Sequence, residues 1–128
     1  MGHSRDSQWR QVALDCIEKC LYCCNICWRT YQRCIQRESG QRESLCTLPL
    51  LDCAEICRTA SAFLRRRSAF WEEACTLCAN VCEQCAWECG QVPSDQRIRD
   101  CAKSCEECAA ACRELLATAQ IPLVNAFE

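Results

Sequence analysis

The sequence predicts an all-α fold, an antiparallel four-helix bundle whose core is lined with cysteine. Three observations carry this. Glycine and proline are scarce, three of each, and fall between long stretches that nothing else interrupts. No run alternates apolar and polar residues with the period of two that a half-buried strand needs. The 18 cysteines, about one residue in seven of the 128, recur at steps of three and four along those stretches, which is the repeat that collects residues on one helix face. A chain of this length holds one core. The predicted organisation is a flexible N-terminal tail over residues 1–8, the bundle over 9–119 and a C-terminal tail over 120–128, where the apolar "IPLVNAFE" carries Pro122 as a helix stop.

The first helix is expected from about Gln8 to Arg37, stopping before "ESGQRES" with Gly40 as its breaker. At about 100° per residue, Cys16, Cys20, Cys23, Cys27 and Cys34 fall within about 60° of one another, and Cys24 lies to the side. The second is expected from Thr47 to Arg66, with Pro49 in its first turn, where a missing N–H costs nothing. Cys46, Cys53 and Cys57 share one of its faces, Cys46 at or just before the first turn. Its end carries "RRR", Arg65 to Arg67, read as positive charge opposing the helix dipole rather than as a nucleic-acid patch.

The third helix is expected from Ser68 as N-cap to Gly90. It contains "CTLCANVCEQCAWEC", in which Cys75, Cys78, Cys82, Cys85 and Cys89 occupy an arc of about 80°. The fourth is expected from Ser94 or Asp95 to about Ala119, with Cys101, Cys105, Cys108 and Cys112 on one face. The stripe that carries leucine and isoleucine in ordinary bundles carries sulfur here.

Folding these segments as antiparallel neighbours brings the columns into register. Cys27 meets the level of Cys53, and Cys57 meets Cys23 on one side and Cys75 and Cys78 on the other. Cys85, Cys82, Cys78 and Cys75 face Cys101, Cys105, Cys108 and Cys112. One end of this tube is plugged by Trp9, Val12, Leu64, Trp71 and Leu115. The other runs through Cys34, Cys46 and Cys89 to two loops, and is the expected way in. Trp28 and Trp87 lie about 120° from the thiol stripes, between helices or on an oligomer surface.

Four uses of so many thiols compete. As small apolar residues they waste core volume. As disulfides, neighbours at i and i+4 on one helix project side by side and miss the required dihedral, although cross-helix pairs are feasible. An iron–sulfur site of the bacterial type wants closely spaced cysteines followed by proline, which "CTLCANVCEQC" lacks. A thiolate metal store fits the pattern: Cu(I) is soft and selects thiolates, and one monovalent ion per thiolate leaves a dry core near neutrality. Zinc held by four thiolates leaves a charge of −2 per site, costly to bury. A zinc-binding thiol buffer and a disulfide-paired helical protein remain the alternatives.

The near-balanced charge, −2 from 15 basic and 17 acidic residues, offers nothing to nucleic acid, and no segment is long and apolar enough for a membrane. The first residues contain no signal-peptide core, which predicts a cytoplasmic, reducing setting. The lone histidine, His3, cannot complete a nucleophile–base pair from a tail, so no enzyme is expected.

The blocks "CIEKCLYCCNIC", "CAEIC", "CTLCANVCEQCAWEC" and "CAKSCEECAAAC", in that order between Trp9 and Leu116, resemble the bacterial copper storage proteins, in particular their cytosolic branch. The resemblance implies a four-helix bundle that stores many Cu(I) ions on its core cysteines, usually as a homotetramer, with a copper chaperone as supplying partner. It makes all 18 cysteines candidate ligands. The sequence departs from that branch at the loops, Glu38 to Ser44 and Gly90 to Arg99, which contain no histidine, while Met1 is the sole methionine. Cys34, Cys46 and Cys89, with Glu38, Glu43 or Asp95 beside them, are left as the groups that meet incoming copper.

Overall fold

The computed structural model describes the backbone of residues 2–36, 47–91 and 95–126, and the side chains of 7–36, 47–91 and 95–119. It contains four helices, α1 (Gly2–Gln36), α2 (Thr47–Arg65), α3 (Trp71–Gly90) and α4 (Gln96–Ala126), with no strand among the described residues. Each helix packs on the next, and α4 closes the ring against α1. Cys16 beside Cys112 and Cys27 beside Cys101 show α1 and α4 running antiparallel. Cys53 beside Cys82 and Cys57 beside Cys78 show the same for α2 and α3.

The helix ends follow local chemistry. At the end of α2, the Ser68 N–H reaches the Phe63 carbonyl at 2.9 Å and the Arg67 N–H reaches that of Leu64 at 3.2 Å. This is the Schellman pattern, with Arg67 as the left-handed residue at φ 52°. A side chain there costs roughly 1 kcal/mol relative to glycine. The "RRR" run is thereby used twice over. Arg66 lies over the Phe63 ring at 4.8 Å and Arg67 over Trp9 at 5.7 Å, so both cations cover aromatic faces.

Ser68, expected to cap the third helix, belongs to this turn; its Oγ accepts the Phe70 N–H at 3.1 Å and α3 starts at Trp71. Asp95 does cap α4, accepting the Arg97 N–H at 2.9 Å. Two helices outrun their expected bounds. α1 begins at Gly2, since nothing before Gln8 opposes helix strongly enough to end it. α4 continues past Pro122 to Ala126, because a proline removes one backbone donor and crowds one turn without always ending a helix.

The core is made of small side chains. Sixteen of its buried apolar residues are cysteines and nine are alanines, leaving Leu50, Leu64, Ile98 and Leu115 as the large aliphatics. These four sit at the two ends. Leu64 and Leu115 close one end, where Trp9 and Trp71 meet edge to face at 5.6 Å. Leu50 and Ile98 stand one turn nearer the loops than Cys53 and Cys101 and collar the other end.

Stability should therefore concentrate at the ends. In anaerobic urea unfolding of reduced, metal-free protein, Leu115→Ala is expected to cost about 2–5 kcal/mol. Cys112→Ala, one turn away, deletes a single atom and should cost less. Equal losses would mean that the thiol column, not its plugs, carries the apo fold.

Candidate metal centre

The four cysteine columns meet on the bundle axis. None of the seventeen described cysteines is in a disulfide, and all but Cys24 are buried. Cys46 lies outside the described residues, as do Glu38 and Glu43. Sulfur contacts run from one end to the other: Cys16 to Cys112 at 3.7 Å, Cys20 to Cys108 at 3.6 Å, Cys23 to Cys53 and to Cys105 at 3.8 Å, and Cys27 to Cys101 at 3.7 Å. Cys53 also reaches across the bundle to Cys105 at 3.7 Å, as Cys57 does to Cys108 at 3.8 Å. The axis is thus filled with sulfur rather than hollow.

The sequence-predicted register holds in part: Cys78 shares a set with Cys108 and Cys75 with Cys112, while Cys82, expected opposite Cys105, shares one with Cys108, and no set joins Cys57 to Cys75. Cys27 shares a group with Cys53, and Cys57 shares one with Cys23 and another with Cys78. Five sets of sulfurs lie within 4.8 Å of one another: Cys20, Cys78, Cys108 and Cys112; Cys23, Cys53, Cys57 and Cys82; Cys23, Cys27, Cys53 and Cys105; Cys57, Cys78, Cys82 and Cys108; and Cys16, Cys75 and Cys112. Cys23, Cys53, Cys57, Cys78, Cys82, Cys108 and Cys112 each belong to two sets, so these are overlapping stations of one column rather than separate sites. Cys85 continues it towards the loops, 4.0 Å from Cys89.

Cys24 stands apart. It is half-buried on the flank of α1, and its thiol is raised above the ordinary range by burial first and by neighbouring Cys23 next. Cys34 lies further along α1 towards the loops and, at 7% exposure, is the one described buried thiol with any exposure. The Leu50 and Ile98 collar went unnoticed in the sequence, although each continues its cysteine stripe three residues towards the loops.

The column is chemically coupled. Cys108, then Cys23, Cys53 and Cys78, hydrogen-bond to Cys57, and with burial they hold its thiol far above the usual range. Cys101 and its neighbours do the same for Cys105. Cys23 is pulled the other way by its hydrogen-bonded neighbours Cys105, Cys108, Cys27 and Cys53. One thiolate can be stabilised by protonated neighbours, but neighbours that have lost their protons cannot do this. Full deprotonation needs cations, and the buried residues include no Lys, Arg or His among those described.

The pattern that defines the copper storage proteins matches residues 9–117. The chain belongs to the copper storage protein family. It is 36% identical over 85 residues to an uncharacterised cysteine-rich protein, YhjQ, of Bacillus subtilis, covering 66% of this chain and 79% of that one. Among solved structures, it matches the Cu(I)-bound copper storage protein BsCsp3 of Bacillus subtilis with a TM-score of 0.78 and 33% identity, over 82% of this chain and 98% of the other. A cytosolic copper storage protein from Streptomyces lividans, holding five coppers, matches with a TM-score of 0.82 and 30% identity, over 87% and 97% of the two chains.

Burial predicts how the metal-free thiols react. With iodoacetamide on folded protein held monomeric, Cys24 should be alkylated first among the described cysteines, more slowly than a free thiol because its thiolate is disfavoured. Peptide mapping by mass spectrometry checks this. Early labelling of Cys57 or Cys105 would show that the column opens readily.

Proposed function

We propose that this protein stores Cu(I) in the cytoplasm, on the thiolates of the axial column, and is not a catalyst. The observation that carries the reading is the overlap of the sulfur sets inside a core whose described residues include no buried cation. Each Cu⁺ that replaces a thiol proton leaves the core charge unchanged, and soft Cu(I) is satisfied by two or three sulfurs at a time. Shared membership then suits the ion, because bridging sulfurs serve two ions. Zinc is favoured by one feature, the four-sulfur sets, but the sets compete for ligands and every ZnS₄ unit adds −2 to a dry interior. The cytoplasmic setting is supported by the cytosolic Streptomyces lividans relative and by the reduced thiols that compartment maintains. The sixteen buried thiols are the proposed ligands, with Cys46 added from its position in the stripe of α2.

Anaerobic titration of reduced protein with Cu(I) against a chelator is expected to show retention on the order of one ion per column thiol. Protons compete for the same thiolates, so retention should weaken as pH falls, and loading should release about one proton per thiol recruited. Cys53→Ser/Cys57→Ser should lose about two ions, whereas Cys24→Ser should leave uptake unchanged. Saturation at about one zinc per four thiols, with zinc preferred over Cu(I), would replace this reading by a zinc buffer.

Self-association is the second part of the proposal. Leu14, Leu21, Trp28 and Ile35 recur every seven residues on α1 and are all exposed; the half-buried Ile17, Cys24 and Tyr31 fill the alternate positions. This is the a/d seam by which one helix pairs with another like it, and none of the described residues of the other helices covers the exposed positions. A second copy is the occupant that a heptad seam selects. Light scattering should show an oligomer, and Leu21→Asp/Trp28→Asp should reduce it to monomers that still take up copper. An oligomer unaffected by this variant would place the interface elsewhere.

A further inference from the structure

A cavity of about 260 Å³ lies in the groove between α1 and α4, lined by Ile26, Arg29, Thr30, Arg33, Arg97 and Asp100. Three guanidinium groups face one lining carboxylate. Arg29 and Arg33 are four residues apart on one helix face, a like-charge arrangement that destabilises the helix unless something offsets it. The carboxylates nearby are already engaged. Asp100 accepts from Gln96 Nε2 at 2.7 Å, and Asp95 accepts the Arg97 backbone N–H as helix cap. Asp95 Oδ2 forms an ion pair with Arg33 Nε at 3.5 Å, although that buried nitrogen makes no hydrogen bond. No ion pair is found for Arg29 or Arg97 among the described residues. Arg29 and Arg97 therefore present unspent positive charge and N–H donors to an anion, and Arg33 adds an Nε–H that makes no hydrogen bond.

Its position connects it to the column. Ile26 and Thr30 flank Cys27, and Asp100 precedes Cys101; these two thiols meet at 3.7 Å on the inner side of the same helix pair. Arg33 precedes Cys34, the described buried thiol with some exposure. Copper carried by two thiolates is itself an anion, since one positive charge meets two negative ones. Carriers that also bear carboxylates are more negative still and match guanidinium forks.

We propose that the Arg29–Arg33–Arg97 cavity docks small anionic Cu(I)–thiolate complexes whose thiols bear carboxylates, and that copper passes from them to Cys34. This rests on the storage reading and adds the form in which the cargo arrives. The exchange is redox-neutral. The Cys34 sulfur bonds to copper, one carrier thiolate leaves, and the Cys34 proton goes to that leaving thiolate. The complex keeps its single negative core charge and stays attracted to the arginines until a thiol of the column repeats the step. The size of the cavity selects a small carrier, since it falls just below the range of ordinary ligand pockets, which begins near 300 Å³.

The test compares initial loading rates, by anaerobic stopped flow, from Cu(I)–mercaptosuccinate and Cu(I)–cysteamine, whose thiols carry carboxylates and an ammonium respectively. The wild-type protein should load faster from mercaptosuccinate. In Arg29→Gln/Arg97→Gln, with both substituted residues exposed, that preference should fall about threefold to tenfold, the low end of electrostatic focusing. Cysteamine rates should not fall and final uptake should not change, and Arg29→Lys/Arg97→Lys should restore part of the preference. Raising salt should erode the mercaptosuccinate rate selectively. Equal rates from the two carriers in wild type, or an unchanged preference in the glutamine variant with full uptake, would overturn the docking site alone. Failure of every form to retain Cu(I) from either carrier would overturn the storage reading and this one with it.

Discussion

The governing constraint is charge neutrality in a dry column of sulfur. Sixteen described thiols are buried, fourteen of them with a sulfur neighbour 3.5–4.0 Å away, and no buried cation accompanies them among the described residues. Protonated, they are neutral and tolerate the interior. Stripped of protons without compensation, they would repel one another at short range in a medium that screens poorly. The only cation that can enter without changing the balance is one that carries a single charge for each proton released. The identity of the cargo is thus limited by the electrostatics of the column before softness or coordination number is considered, and softness then selects among the monovalent ions.

The same constraint shapes the fold. Cysteine and alanine bury little apolar surface compared with leucine, so the middle of the bundle contributes less to stability than its length suggests. The large aliphatics and the Trp9–Trp71 contact are displaced to the ends, and the Schellman turn and the Asp95 cap fix where α2 and α4 stop and start. Ends that hold the bundle also close it. Leu50 and Ile98 keep the collar apolar, so ions passing it must be in a low-charge complex or handed from thiol to thiol. Transfer between partners is therefore favoured over entry of a hydrated ion.

Much of this was legible in the residues because a helical column needs only a spacing rule. Steps of three and four assign Cys16 through Cys112 to one axis, and short connections fix the antiparallel register, so Cys27 met Cys53 and Cys57 met both Cys23 and Cys78. The same rule set Cys24 aside. Features that depend on competition between neighbouring signals were less legible. Ser68 has the chemistry of an N-cap, yet it was captured by the turn ending α2 once Arg67 took the left-handed conformation. Pro122 has the chemistry of a stop, yet α4 runs through it. The arginine cavity needs residues from α1 and α4 brought together, and no single segment announces it; the four-residue spacing of Arg29 and Arg33 was its only trace.

That trace bears on how a histidine-free loading end can work. Histidine would offer incoming copper a neutral ligand, acting on the ion itself. Guanidinium groups cannot ligate a cation at all; they act on the carrier. A protein that recognises the carrier need not compete for the metal until the complex is already beside Cys34. The first exchange then replaces one thiolate by another of similar affinity, with a small barrier and a small driving force. The driving force comes later, from the column, where each ion can find a second and third sulfur without desolvating further charge. Separating recognition at the surface from retention in the core lets the interior consist of thiols alone, which is the composition that neutrality requires.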